Sequence, residues 1–211
     1  MNQREVPLLN VANALTVLRL LLIPVFLVCL LSGGGHQVFW RLSAGLVFAV
    51  ASLTDRLDGH LARHFNLVTP FGVVADPIAD KALIGSALVG LSVLGELPWW
   101  VTVVIAAREL GVTLLRFWVL RHGVIPSSRG GKLKTLVQVV ALELYVLPLD
   151  LPLDTARAAS ATVIQARWWV LACAVVLTVV TGIDYVVRAL RLRARGVAAA
   201  RVPVGDQFGA G

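Results

Sequence analysis

Four aspartates, Asp55, Asp58, Asp76 and Asp80, stand in stretches whose hydropathy otherwise matches lipid. They occur in the frame Asp55-x-x-Asp58-Gly59-x-x-Ala62-Arg63, then eight residues, then Gly72-x-x-x-Asp76-x-x-x-Asp80. An ionised carboxylate at the bilayer centre costs about 2.5–3.5 kcal/mol on insertion scales. The cations near the frame in sequence are Arg56, Arg63 and Lys81, too few to balance four such groups. Divalent metal is the simplest further source of positive charge, and carboxylate oxygens suit Mg²⁺ or Mn²⁺. The frame therefore points to an oxygen-ligated metal site, of two ions, inside a membrane.

Helices are the elements that must position these groups. Asp55 and Asp58 are three apart and share a helical face, which Gly59 and Ala62 continue. Asp76 and Asp80 are four apart, again on one face. The stretch His64–Phe71 is long enough to turn the chain and set the two faces against each other. Two metals about 3.5–4 Å apart, held there, could clamp a phosphoryl group. Gly59 and Ala62 let a bulky ligand approach the backbone, Arg63 can fork onto a phosphate, and Gly72 lets the following helix start tightly. Pro77, directly after Asp76, disturbs the helix interior and helps aim the carboxylates.

The rest of the chain agrees with a membrane setting. Of 211 residues 58% are hydrophobic and only 15% charged, against about 25% charged in soluble domains. Mean hydropathy is +0.83. The expectation is an all-α membrane protein with about six transmembrane helices, near Leu15–Leu31, Arg41–Leu61, Gly72–Leu94, Trp99–Leu120, Leu133–Leu149 and Ala166–Leu190. Breakers separate them: Gly33 to Gly35, Asn66 to Pro70, Pro98, Pro126 to Gly131 and Pro148 to Pro152. A short N-terminal interfacial segment (1–13), a six-helix catalytic membrane domain (14–192) and a basic, then flexible, tail (193–211) complete the plan. Trp40, Trp99, Trp100, Trp168 and Trp169 fall at helix ends, as an aromatic belt does. Cys29 and Cys173 lie in apolar runs and read as small buried hydrophobes. No cleaved signal peptide is expected.

Orientation follows from Lys and Arg. One set of connections and the tail carry Arg63, Arg121, Arg129, Lys132, Lys134, Arg188 and Arg191; the other set has Arg41, Arg157 and Arg167 beside Glu96, Asp150 and Asp154. The positive-inside rule puts both termini and the carboxylate frame on the cytoplasmic side of the plasma membrane. The net charge of +7 is then a matter of anionic headgroups, and nucleic acid is not an expected partner.

At every specified position the frame resembles the signature of the CDP-alcohol phosphotransferase family. That resemblance implies a membrane enzyme, generally a homodimer of six-helix protomers. Such enzymes bind a CDP-linked lipid or alcohol at a di-metal site, transfer its phospho-lipid part to an alcohol and release CMP. It implies Asp55, Asp58, Asp76 and Asp80 as metal ligands, with Asp80 also the general base on the attacking hydroxyl. Gly59, Arg63 and Thr69 resemble nucleotide-binding positions. As a base beside metals, Asp80 works by position more than by basicity.

Three further motifs narrow the acceptor. Asn10-Val-Ala-Asn13-Ala-Leu15-Thr16-Val-Leu-Arg19 resembles the opening of phosphatidylglycerophosphate synthases and their cardiolipin-synthase relatives, with Ala12 in place of the usual Pro. It brings in Asn13 and Thr16 as substrate-binding candidates. Ala107-Arg108-Glu109 places charge inside the fourth apolar run. Gly131-Lys132-Leu-Lys134-Thr135 precedes the fifth, with Gln138 one turn on. Arg108, Lys132 and Lys134 would form a basic pocket for a phosphate monoester, and the resemblance of these motifs to the phosphatidylglycerophosphate synthase branch implies CDP-diacylglycerol and sn-glycerol 3-phosphate as substrates.

Rival readings stay open at this stage. A cardiolipin synthase would use phosphatidylglycerol as acceptor, and a phosphatidylinositol phosphate synthase also needs a monoester pocket. A cation or proton transporter accounts for the aspartates but not for Gly59, Ala62 and Arg63. His60 and His64 have the spacing of a metal pair but read as interfacial histidines. Glu143 and Asp184 each need a partner or a cavity.

Overall fold

The computed structural model describes residues 10–64, 69–119, 129–149 and 157–200. Side chains are described within these ranges except at 12, 56–64, 70, 73, 116–119, 129–132, 157–161 and 193–200. The described residues form six α-helices and a short 3-10 turn, with no strand among them.

Local chemistry sets the helix starts. Helix α1 (Val11–Leu31) begins where the Asn10 side chain accepts the backbone N–H of Asn13 at 2.9 Å. Its first turn thus lies inside the 1–13 segment expected at the interface. Gly33, Gly34 and Gly35 follow with φ of 62°, 65° and 76°, a left-handed turn that a Cβ would disfavour. It sends the chain back into α2 (Val38–His64). Helix α3 (Pro70–Val93) has Thr69 as its cap and Pro70 in its first turn, where a missing N–H costs nothing. Helices α4 (Trp99–Val119), α5 (Arg129–Val146) and α6 (Arg157–Ala200) complete the elements among the described residues. Helix α6 outruns the expected Ala166–Leu190 at both ends.

By length and composition, three stretches among the described residues suffice to cross a membrane: Asn13–Gly35, Val38–Asp55 and Thr162–Leu192. They belong to α1, α2 and α6. Helices α3, α4 and α5, also expected to span, each carry charged residues. Helix α3 holds Asp76, Asp80 and Lys81, α4 holds Arg108 and Glu109, and α5 holds Lys134 and Glu143.

Helix α1 packs on α2 and α3, α6 packs on α4 and α5, and α5 reaches across to α2 and α3. The shared core includes Phe26, Leu30, Phe48, Leu88, Leu91 and Leu142, with the Phe26 and Phe48 rings 5.4 Å apart. Leu21, Val28, Leu46, Val74, Leu114 and Trp169 point outward, an apolar periphery suited to lipid. Cys29 is buried as expected, but Cys173 is exposed, because it falls on the outer face of α6.

One end of the bundle is tied by Arg41, which the sequence placed in an outer connection and the fold buries. Its guanidinium donates to the carbonyls of Val146 (2.7 Å), Tyr145 (2.6 Å) and Gly35 (3.0 Å) and to Glu96 (3.1 Å). The last carbonyls of α5 are thereby satisfied. Arg167 lies 4.0 Å from Glu96 and over the Tyr145 ring. Trp40, Trp99 and Trp168 neighbour these groups in the chain, so these three tryptophans gather at this end. Asp55 is fourteen residues beyond Arg41 on α2, about 21 Å at 1.5 Å per residue, so the carboxylate frame sits at the other end.

Candidate active site

Three residues of α1, spaced three apart, hold the frame together. Arg19 is fully buried, and its Nη1 lies 2.6 Å from Asp55 Oδ1 on α2. One turn earlier, the Thr16 hydroxyl donates to Asp76 Oδ1 on α3 at 2.5 Å. One turn earlier again, Asn13 Oδ1 accepts from the Thr69 hydroxyl at 2.8 Å, and Thr69 Oγ1 accepts the Gly72 N–H at 3.1 Å. A single face of α1 therefore engages both carboxylate-bearing helices. Gly72 is where they close up: a Cβ there would lie 3.0 Å from Asn13 Oδ1 and 3.7 Å from Asp76 Oδ2.

Asn13, Thr16 and Thr69, read from sequence as substrate-binding, are thus bonded to one another or to the frame. Arg19 was absent from the cations counted near the frame. The available signal was an arginine inside an apolar helix with no acidic residue of its own, which requires a carboxylate from elsewhere.

The described carboxylates fit a hard divalent ion by donor type, since each offers oxygen and each of Asp55 and Asp76 has a second oxygen besides the bonded one. No three acidic, histidine or cysteine side chains among the described residues converge as a metal cage. The side chain of Asp58 lies outside the described residues, as do those of Gly59, Arg63, His60, His64 and Lys132. On the described groups alone, Arg19 and Thr16 supply the charge and donors that Asp55 and Asp76 meet.

One turn past Asp76, Asp80 lines a pocket of about 190 Å³ between α3, α4 and α5. Opposite stand Lys134 and, one turn on, Gln138, which are only 3% and 2% exposed. Ile84, Leu88, Ala106 and Leu110 make its apolar walls. Glu109 also borders it, and its Oε1 accepts from both Lys134 Nζ and Arg108 Nη1. A buried ammonium without such a counter-charge would be costly. Arg108 itself turns toward α6, donating to Thr181 Oγ1 at 3.1 Å, with its stem against Gly182. Arg108 and Lys134 therefore meet through Glu109, and of the two it is Lys134 that lines the pocket.

Asp184 pairs with Arg188 one turn later at 3.0 Å. Glu143 lines a separate groove between α2 and α5 with Ser52.

The sequence profile of the CDP-alcohol phosphatidyltransferase family matches residues 9–199. A protein of Mycobacterium tuberculosis (strain ATCC 25618 / H37Rv) named probable phosphatidylglycerophosphate synthase is 58% identical over 182 residues, 86% of this chain and 82% of that protein. The CDP-diacylglycerol–glycerol-3-phosphate 3-phosphatidyltransferase of Bacillus subtilis (strain 168) is 36% identical over 83% of this chain and 93% of its own. The Escherichia coli (strain K12) protein of the same name is 41% identical over 63% of this chain and 74% of its own.

Proposed function

The chain belongs to the CDP-alcohol phosphatidyltransferase family, and we propose that it transfers the phosphatidyl group of CDP-diacylglycerol to sn-glycerol 3-phosphate, giving phosphatidylglycerol phosphate and CMP. It is a transferase of the membrane. The observation that supports this acceptor is the pocket with Asp80 on one wall and buried Lys134 on the other. A carboxylate and an ammonium across a small cavity suit a hydroxyl and a phosphate of one small molecule. At about 190 Å³ the pocket is below the roughly 300–1,000 Å³ of drug-sized sites, which favours a polyol phosphate over a second diacyl lipid.

In this reading the acceptor binds with its phosphate toward Lys134, aided by Lys132 and, through Glu109, by Arg108. Asp80 takes the proton of the 1-hydroxyl as its oxygen attacks the lipid-linked β-phosphorus. The new O–P bond forms as the bond to the CMP oxygen breaks, and CMP leaves with the electron pair. Arg63 holds the donor's phosphates, while Gly59 leaves room for the nucleotide. Asn13, Thr16 and Thr69 serve by fixing α1 on the frame, which keeps the carboxylates in place. Asp55, Asp58, Asp76 and Asp80 would hold two Mg²⁺ or Mn²⁺ ions, whose role is to neutralise charge developing on the transferred phosphoryl group.

The acyl chains stay in the bilayer, against the apolar periphery. The basic residues at the frame's end of the bundle favour a cytoplasmic active site and cytoplasmic termini in a multi-pass plasma-membrane protein. A homodimer is the expected assembly, by family resemblance.

The test is CMP release by purified protein with CDP-diacylglycerol and Mg²⁺, offering glycerol 3-phosphate, inositol 1-phosphate or phosphatidylglycerol. Turnover with glycerol 3-phosphate alone is expected. Turnover with phosphatidylglycerol alone would overturn the acceptor assignment, and silence with all three would reopen ion transport.

A further inference from the structure

Asp80 and Lys134 account for two of the three polar groups of glycerol 3-phosphate, the reacting hydroxyl and the phosphate. The secondary hydroxyl at C2 has no assigned partner. Three polar side chains that the mechanism does not use also line the pocket, Lys81, Thr135 and Gln138, and of these Gln138 is the one with a buried polar atom lacking a hydrogen-bond partner among the described residues. Gln138 lies one helical turn beyond Lys134 on α5, so both side chains leave the same helix face. It is 2% exposed and lines the pocket together with Asp80 and Lys134. Its Oε1 is buried with no hydrogen-bond partner among the described residues. An unpaired buried amide oxygen costs about 1–3 kcal/mol, so the pocket holds an unmet demand for a donor. The apolar walls, Ile84, Leu88, Ala106 and Leu110, offer none, and neither Lys81 nor Thr135, which also line the pocket, donates to this oxygen.

We propose that Gln138 reads the C2 hydroxyl of the acceptor, and that Asp80, Lys134 and Gln138 together select its handedness. This deepens, and rests on, the reading of the pocket as the glycerol 3-phosphate site. Three contacts from two helices to three substituents of one carbon skeleton distinguish mirror images, where two contacts do not. With the reacting hydroxyl at Asp80 and the phosphate at Lys134, exchanging H and OH at C2 turns the hydroxyl away from Gln138. The mirror image then leaves two groups unpaired, its own hydroxyl and the amide oxygen. A hydrogen-bonding site rejects an analogue that lacks the matching group far better than an apolar site rejects an added one.

The experiment compares three acceptors with the full-length protein in detergent–lipid micelles: sn-glycerol 3-phosphate, its enantiomer sn-glycerol 1-phosphate, and 3-hydroxypropyl phosphate, which lacks the C2 hydroxyl. For the unaltered protein kcat/KM should fall about ten- to a hundredfold for both analogues, the size of one hydrogen bond in a buried site. In Gln138→Leu the ratio between glycerol 3-phosphate and 3-hydroxypropyl phosphate should collapse to about one, as should the ratio between the enantiomers. Gln138→Met, close in volume and without a hydrogen-bonding group, should behave in the same way if the leucine variant does not fold. Equal losses on all acceptors, with the ratios kept, would overturn the proposal and leave Gln138 a packing residue. It also falls, without any variant, if the unaltered protein uses 3-hydroxypropyl phosphate as well as glycerol 3-phosphate. No turnover of glycerol 3-phosphate by the unaltered protein would instead remove the functional reading beneath it.

Discussion

The guanidinium of Arg19 and the carboxylate of Asp55 meet at 2.6 Å across the α1–α2 interface, with the arginine fully enclosed by protein. This contact joins a helix without acidic residues to the first aspartate of the frame. It brings a fixed positive charge to a cluster that otherwise repels itself. It also explains why α1, by composition a plain apolar span, is integral to the site.

Removing one partner of a buried ion pair leaves the other uncompensated, at a cost of about 3–5 kcal/mol. Arg19→Ala should therefore lower stability by about that amount, read as thermal unfolding in detergent. Arg19→Lys should lose less, since it keeps the charge and gives up the planar fork. An Arg19→Ala protein as stable as the original would mean that the pair is not formed.

Thr16 donates to Asp76 from sixty residues away. Thr16→Val keeps the shape and deletes the donor, so we expect kcat to fall about tenfold, the effect of one hydrogen bond to a charged acceptor. Thr16→Ser should restore most of it. If valine and serine variants were equally impaired, packing rather than hydrogen bonding would be the role of Thr16.

Asp80→Asn should abolish most turnover, by about 10²–10⁴-fold, while the protein remains folded by circular dichroism. Asp80→Glu should recover little, because a general base acts through its position. Retention of full activity in the asparagine variant would require a different base.

Glu109 accepts from both Lys134 and Arg108. Glu109→Gln leaves the two cations without their shared counter-charge, so the KM for glycerol 3-phosphate should rise about tenfold, the effect of one charge-assisted contact. The KM for CDP-diacylglycerol should change far less. A lower acceptor KM in the glutamine variant would instead mark Glu109 as a competitor of the phosphate for Lys134.

Chelation addresses the ions directly. EDTA should stop CMP release, and Mg²⁺ or Mn²⁺ should restore it without refolding. Turnover that persists in EDTA would leave Asp55, Asp58 and Asp76 with a purely electrostatic role beside Arg19.

Much of this was legible in the residues themselves. Helix starts depend on neighbours in the chain, so Thr69 with Pro70 and the glycines from Gly33 to Gly35 mark their boundaries without tertiary help. Six apolar runs correspond to six helices for the same reason. The spacing of Asp76 and Asp80 puts both on one face of α3, whatever surrounds it.

What the linear chain left open is the pairing of charges between helices. Arg19 stood only as the end of the helix-one motif and Arg41 as a topology marker, yet one meets Asp55 and the other the end of α5. Arg108 and Lys134 looked like equal members of one basic cluster, but Arg108 faces Thr181 on α6 and Lys134 faces the pocket. Hydropathy and helical period report which face of a helix is apolar, but are silent on which helix that face meets and at what depth. The frame's chemistry was therefore set by residue type and spacing. Which cation neutralises which carboxylate, and that Gln138 shares a pocket with Asp80, depended on how α1, α3, α4 and α5 pack.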